Sequence, residues 1–232
     1  MRRGSLLLAL AAGCGGGAAA PDAAVDGVAI DAPRTWATYH IAVGRHDATI
    51  TGGEPDNPLR SLTQVSGRDY RFAFDPSAAY VITAPVEPND QLDWNKLPGL
   101  SDCDTIDLSV DGAMFGWRWR VDLDPPVLEV TAYANDAGTH LTPPGPLVTL
   151  TAADLAAQVP LRYRVWSDGA VYRFAITGAL AAGAVDVATT LPRACPTAAA
   201  DTWRWASGLY FGGTSTAPSV ITGAILEQPW AP

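Results

Sequence analysis

Leu161-Arg162-Tyr163-Arg164-Val165-Trp166, then Ser167-Asp168-Gly169, then Val171-Tyr172-Arg173-Phe174-Ala175-Ile176: two runs alternate apolar and polar residues on either side of an Asp-Gly pair. Successive side chains of an extended strand point to opposite faces, so a period of two marks a strand with one face buried. Asp-Gly supplies the positive φ that a tight hairpin demands. The stretch therefore predicts an antiparallel hairpin. The same period recurs outward at Tyr39-His40-Ile41-Ala42-Val43, at Tyr70-Arg71-Phe72-Ala73-Phe74, and over residues 79–83, 106–110, 115–121, 127–133 and 147–150. Helical character is confined to Thr151–Gln158, where Thr151 is placed to cap and Asp154 falls at the third helical position. About ten short strands with almost no helix exclude a parallel α/β sheet, whose crossovers need long connections. An all-β antiparallel β-sandwich with minimal helix follows. For a body of about 200 residues a jelly roll of the concanavalin-like kind fits better than an immunoglobulin module of about 100. No repeat of fixed period points to a propeller.

The composition belongs to a folding chain: of 232 residues, 48% are hydrophobic and 17% charged, with 22 Gly, 19 Pro and 8 Trp. A net charge of -9 argues against nucleic acid as a partner, because proteins held to phosphate present a basic face. Arg2 and Arg3 precede an apolar run from Leu6 to Ala12, too short to span a bilayer, which reads as a signal peptide over residues 1–13. The run ends in Ala11-Ala12-Gly13-Cys14 and resembles a bacterial lipobox, in which the new terminal Cys14 is lipidated; the other reading is an ordinary secretory cleavage region. Residues 14–33 are mostly Gly, Ala, Pro, Asp and Val without an aromatic, the makings of a disordered, lipidated tether. The sandwich is expected over residues 34–232, lipid-anchored in a bacterial cell envelope on the periplasmic or outer side. With Cys14 lipidated, Cys103 and Cys195 remain as an even pair in an oxidising compartment, either one disulfide or two buried thiols.

Among 15 basic residues 14 are Arg, and the single lysine is Lys96, within Asn95-Lys96-Leu97-Pro98-Gly99-Leu100. Lysine offers a compact ammonium whose proton affinity shifts with burial, which arginine does not. A surface loop that happens to carry lysine is the plainer reading. Downstream come Phe115-Gly116-Trp117-Arg118-Trp119, then Tyr133, then Leu209-Tyr210-Phe211-Gly212-Gly213. In that order these segments resemble the jelly-roll polysaccharide lyases that act on glucuronan and alginate, across roughly residues 36–230. Those families carry a Lys-Leu-Pro-Gly-Leu loop, a Ser-x-Arg strand, a Tyr-x-Tyr strand and a late Phe-Gly-Gly turn. The resemblance implies Lys96 and Tyr133 as catalytic residues, with ammonium and phenol facing one concavity. It also implies losses: Gly112 and Met114 stand at the Ser-x-Arg positions and Asn135 at the second tyrosine. β-Elimination at a uronate needs a base, an acid and a group that neutralises the carboxylate. Without the arginine, the expectation is an acidic-polysaccharide-binding domain whose lyase activity is weak or lost. Arg118 or Arg120 is the candidate replacement, both on the face of the strand shared with Gly116 and opposite Trp117 and Trp119.

Trp117 and Trp119 share one face of their strand and either stack on sugar rings or fill the core; Trp94, Trp203 and Trp205 present the same choice. His46, with His40 and His140 the only histidines, follows Gly44-Arg45 at a strand end and could reach a groove, although a solvated loop histidine is the plainer reading. Asp90, Asp93, Asp102, Asp104 and Asp107 suggest a solvated acidic rim, or calcium, though without EF-hand spacing. Phosphate loops, serine-hydrolase elbows and zinc-helix motifs are absent, and no metal or cofactor is expected. The competing functional reading is a non-enzymatic envelope adhesion module that contacts protein. A concave face with exposed tryptophans would favour the glycan; a filled face with buried rings would favour adhesion.

Overall fold

The computed structural model describes residues 35–52, 60–61, 66–193, 195 and 204–231, so residues 1–34, including Cys14, and Trp203 lie outside the described residues. Two antiparallel sheets are present. One has seven strands: β1 (Ala37–Ile41), β2 (Ala48–Thr51), β4 (Gly67–Phe74), β11 (Leu161–Asp168), β12 (Val171–Leu180), β13 (Gly183–Pro192) and β15 (Ile221–Gln228), in the order β13-β12-β11-β4-β15-β1-β2. The other has eight: β3 (Arg60–Ser61), β5 (Asn95–Lys96), β6 (Leu100–Ser101), β7 (Gly112–Arg120), β8 (Val127–Asp136), β9 (Thr139–Leu141), β10 (Val148–Leu150) and β14 (Trp205–Ala206). Its main path is β10-β8-β7-β6-β14-β3, with β5 on β7 and β9 on β8. Among the described residues the first strand, β1, lies directly beside the last, β15, with Ala37 across from Ile225. This is the β-sandwich the alternation predicts.

Alternation decides which side chains meet between the sheets. Tyr70, Phe72 and Phe74 of β4, Tyr163 and Val165 of β11, and Phe174 and Ile176 of β12 face Phe115, Trp117 and Trp119 of β7 and Leu128 and Val130 of β8. The Phe115 ring meets Tyr163 and Phe174 edge-on at 5.1 and 5.4 Å, and Phe74 lies 5.4 Å from Trp117. These are the separations aromatic pairs prefer. The β11–β12 hairpin forms with its turn one residue later than the Asp-Gly reading: Asp168 pairs with Val171, and Gly169-Ala170 are the loop. Only Gly169 has positive φ (60°), as a turn with glycine at its first central position requires. Between β10 and β11, α1 (Ala152–Ala156) begins in a capping box made by Thr151 and Asp154.

Two expected strands are not there. Residues 79–83 follow a single 3-10 turn at Pro76–Ala78 and run on as loop. Residues 106–110 lie in a turn: Thr105 N–H donates to the Asp102 carbonyl, Ser109 N–H to Asp107 Oδ1, and Cys103 and Asp104 both have positive φ. Local side-chain acceptors here satisfy the backbone that a ladder would have paired. Cys103 and Cys195 form a disulfide with Cα atoms 5.6 Å apart. Beside it Asp102, fully buried, receives Arg193 through two bonds of 2.5 and 3.0 Å and lies 3.2 Å from Arg204. Asp90 is buried too, accepting from Glu87 N–H, Thr214 and Ser215. Those two acids therefore belong to the interior rather than to a solvated rim.

Candidate functional site

The outer face of the eight-stranded sheet is set by the residues that alternate with the core set. On β7 these are Gly112, Met114, Gly116, Arg118 and Arg120; across from them on β8 stand Asn135, Tyr133, Thr131, Glu129 and Val127. β5 adds Lys96 opposite Gly116, and on its other side Lys96 pairs with Tyr210, which pairs in turn with Asp47. Lys96 and Tyr210 exchange backbone hydrogen bonds of 2.8 and 3.0 Å. Residues 94, 96, 133 and 210, scattered over the sequence, are thus brought to one patch.

Lys96 and Tyr133 meet there. The ammonium sits 4.9 Å from the Tyr133 ring centroid and donates to the Trp94 carbonyl at 2.7 Å. Among the described residues no carboxylate lies within ion-pair distance of it, whereas every described arginine that is at least half-buried has one: Arg68 with Glu227, Arg118 and Arg120 with Glu129, Arg164 with Asp69, Arg193 and Arg204 with Asp102. Desolvation lowers the Lys96 pKa, opposed by the charge of Asp93. Burial, helped by Asp93, pushes the Tyr133 phenol up to about 12, so it stays a neutral donor. Asp93 itself is raised, by burial and then by neighbouring Asp90. Glycine at 212 is obligatory for this packing, because a Cβ there would stand 2.0 Å from the Trp94 carbonyl oxygen and 2.9 Å from Lys96 Nζ. That explains the Phe211-Gly212-Gly213 signature in physical terms.

Two histidines flank the pair. His46 Nδ1 lies 2.8 Å from the Phe211 carbonyl, which can only accept, so Nδ1 carries a proton and donates it there. The His46 ring stacks on Tyr210 at 5.5 Å. On the far side, Asn135 donates through Nδ2 to the Leu108 carbonyl, leaving Oδ1 to accept from His140 Nδ1 at 2.5 Å. His140 lies 5.8 Å from the Tyr133 ring. Chemically the row offers one cation with unused donors, a neutral phenol and two imidazoles oriented through Nδ1. The sequence reading favoured a solvated His46 and gave His140 no part; only the ring and register contacts bring them in.

Three expected binding residues do not serve. Trp117 is fully buried and Trp119 is 6% exposed, both in the core, so neither reaches a ligand. Arg118 shares the face with Lys96, but Glu129 directly across holds its guanidinium at 2.8 and 2.9 Å, the Leu92 carbonyl takes another bond, and the Trp94 ring lies 4.0 Å beneath it. Its charge is spent inside the protein. Trp94 is half-buried over Gly116 and partly fills the face, and Trp205 is half-buried at the β3–β6 junction. A cleft of about 300 Å³ lies elsewhere, lined by Leu147, Val148, Leu180 and Val185–Val187, without any candidate residue.

No family model matches the chain, and no curated protein matches it. Among solved structures the chain is similar to the alginate lyase vAL-1 from Chlorella virus, at a TM-score of 0.40 and 9% identity, covering 82% of this chain and 81% of that one. It is also similar to the CBM2 module of Lactobacillus casei BL23 phage J-1 evolved Dit (TM-score 0.38, 9% identity, 74% and 70% covered). An alginate lyase from Klebsiella pneumoniae follows at 0.35 and 12% identity, covering 68% of this chain and 57% of that one. TM-scores of 0.40 and below leave the functional reading to the side chains themselves.

Proposed function

We propose that this is an exported bacterial lipoprotein, anchored through Cys14, whose sandwich binds an acidic polysaccharide across Lys96 and Tyr133 with weak or lost lyase activity. One observation carries the reading: a half-buried ammonium that spends a single donor on the protein and has no carboxylate within 4.0 Å among the described residues. Fixing a cation away from water without a carboxylate in contact costs stability, and an incoming uronate carboxylate supplies that contact. Elimination at the uronate would take the C5 proton to a base, form the C4–C5 double bond from its electrons, and expel the C4 oxygen, protonated by an acid. His140 or His46 through Nε2, and the Tyr133 phenol, are the groups present for those transfers. The carboxylate, however, must be neutralised as charge develops, and the expected arginine position holds Met114, 3% exposed, across from Tyr133. Losing one preorganised donor costs on the order of 100-fold to 1000-fold in rate, so binding should outlast catalysis.

The deciding experiment pairs affinity electrophoresis in gels containing glucuronan or alginate with absorbance of the unsaturated uronate product. Retention of the wild-type chain, weakened in Lys96→Ala, with little product, supports the proposal. Rapid turnover abolished by Lys96→Ala makes the protein an active lyase. The buried Trp117 and Trp119 rings and the Trp94 ring that partly fills the face favour protein adhesion as the second reading, and absence of retention by any glycan hands the face to it. For the anchor, a Cys14→Ala chain that fractionates with membranes at wild-type level would sink the lipoprotein reading.

A further inference from the structure

The outer face of the seven-stranded sheet, on the side of the sandwich away from Lys96, carries a second assembly. In the β4–β11 register Trp166 stands across from Gly67, Arg164 across from Asp69, and Arg162 across from Arg71. The one carboxylate on these three rungs, Asp69, has a side chain only 1% exposed and is shared: Arg162 holds it through bonds of 2.9 and 2.6 Å, and Arg164 Nε lies 3.4 Å away. Arg71 is exposed and, among the described residues, has no carboxylate within 4.0 Å. Three arginines therefore share these rungs with one carboxylate, two of them holding it and Arg71 standing on the neighbouring rung, leaving two net positive charges in a chain of net charge -9. Like charges directly across a strand pair destabilise it, so the Arg71–Arg162 rung costs the fold something unless an anion lies over it.

Beside this row is an aromatic platform. The Trp230 indole, carried by the segment after β15, covers Gly67 so closely that a Cβ there would come within 2.5 Å of it. Its Nε1 donates to Ser66 Oγ at 3.1 Å, and its ring meets Trp166 at 6.0 Å. Arg164 stands 5.3 and 5.1 Å from the two rings and donates to the Ala231 carbonyl at 2.6 Å. Both indoles are half-buried and locked. We propose that this face is a second binding site, for a carboxylated polysaccharide: sugar rings stack on Trp166 and Trp230 while Arg71, exposed and with no carboxylate within 4.0 Å among the described residues, takes the carboxylate. Stacking supplies affinity that tolerates any sugar, and guanidinium selects the anion. A lipid surface is the poorer occupant, because none of the large exposed apolar side chains lies on β4, β11 or β12 to insert. The site shares its ligand class with the Lys96 proposal but none of its residues. With both sites filled, one domain bridges two polymer chains.

The test uses the full-length protein in a Lys96→Ala background, with alginate and glucuronan as probes, neutral dextran as control and phosphatidylglycerol vesicles as the lipid arm. Arg71→Ala is expected to weaken gel retention by about threefold to tenfold and Trp166→Ala by at least as much. Arg71→Glu, at an exposed position that leaves the core untouched, provides the same test if Trp166→Ala does not fold. In the parent chain, polymer bridging read by light scattering should disappear in Lys96→Ala and in Arg71→Glu separately. Wild-type retention in Arg71→Glu overturns the proposal, as does equal retention by dextran, binding to vesicles but not to polymer, or no retention of the Lys96→Ala chain at all. Loss of retention in Lys96→Ala with unchanged behaviour in Arg71→Glu would leave the Lys96 site standing and remove this one.

Discussion

Lys96 holds its ammonium on one carbonyl and one ring face. Lys96→Met keeps the apolar stem and removes the charge, so we expect polyuronate retention to weaken while the unfolding free energy from urea titration stays within about 1 kcal/mol of wild type or rises. A fall beyond that would make Lys96 a structural residue. The pKa direction fixes the pH dependence. Because Lys96 titrates below 10.5 when folded, its neutral form is favoured by the fold. Between the folded and unfolded values the unfolded chain binds the extra proton, so this residue adds stability as pH rises. Binding runs the other way and should fade at a pH below 10.5, while the Tyr133 phenol, at about 12, remains protonated. Gly212→Ala should cost about 1 to 3 kcal/mol, because the obstructing Trp94 oxygen is backbone and cannot swing aside; a thermal melt unchanged from wild type would refute that packing. Lys96 and Tyr133 were legible because one is the chain's only lysine and the motif order carried the other. Trp117 and Trp119 were misread because strand parity sorts residues into two sets without saying which set faces inward, and Arg118 because the sequence does not show that Glu129 lies directly across from it.

At the level of elements, alternation worked where both flanks were turn residues and failed where side chains could bond their own backbone. The β11–β12 hairpin and the α1 capping box are of the first kind. Gly169→Ala should destabilise by about 1 kcal/mol through its positive φ, since no atom lies within 4 Å of the added methyl. Thr151→Ala should cost about 1 kcal/mol through the lost cap. Either is checked by its denaturation midpoint, and no change at Gly169 would mean the turn relaxes. Residues 106–110 are of the second kind, held as a turn by Asp107. β13 went unread because its outward residues Ala184, Asp186 and Ala188 have no strand preference, and pairing with β12 alone defines it.

Across the whole molecule, the disulfide ties residues 92 positions apart and should contribute about 4 kcal/mol in the chain-entropy account. Cys103→Ser/Cys195→Ser, compared with wild type by urea denaturation, should show a loss of that order; two reactive thiols in the unreduced denatured chain would exclude the bond. Asp102→Asn withdraws the buried carboxylate from Arg193 and Arg204 and should cost about 3 to 5 kcal/mol. Such long-range pairs leave no mark in local sequence pattern, which is why Asp102 looked like part of a solvated rim. One consequence of the sheet order is mechanical. Since β1 begins where its neighbour β15 ends, the described domain's entry and exit points lie at the same end of adjoining strands. Tension drawn between them would therefore peel that pair one hydrogen bond at a time instead of shearing all at once. The same proximity suits the domain to circular permutation, with a short linker from residue 231 to 35.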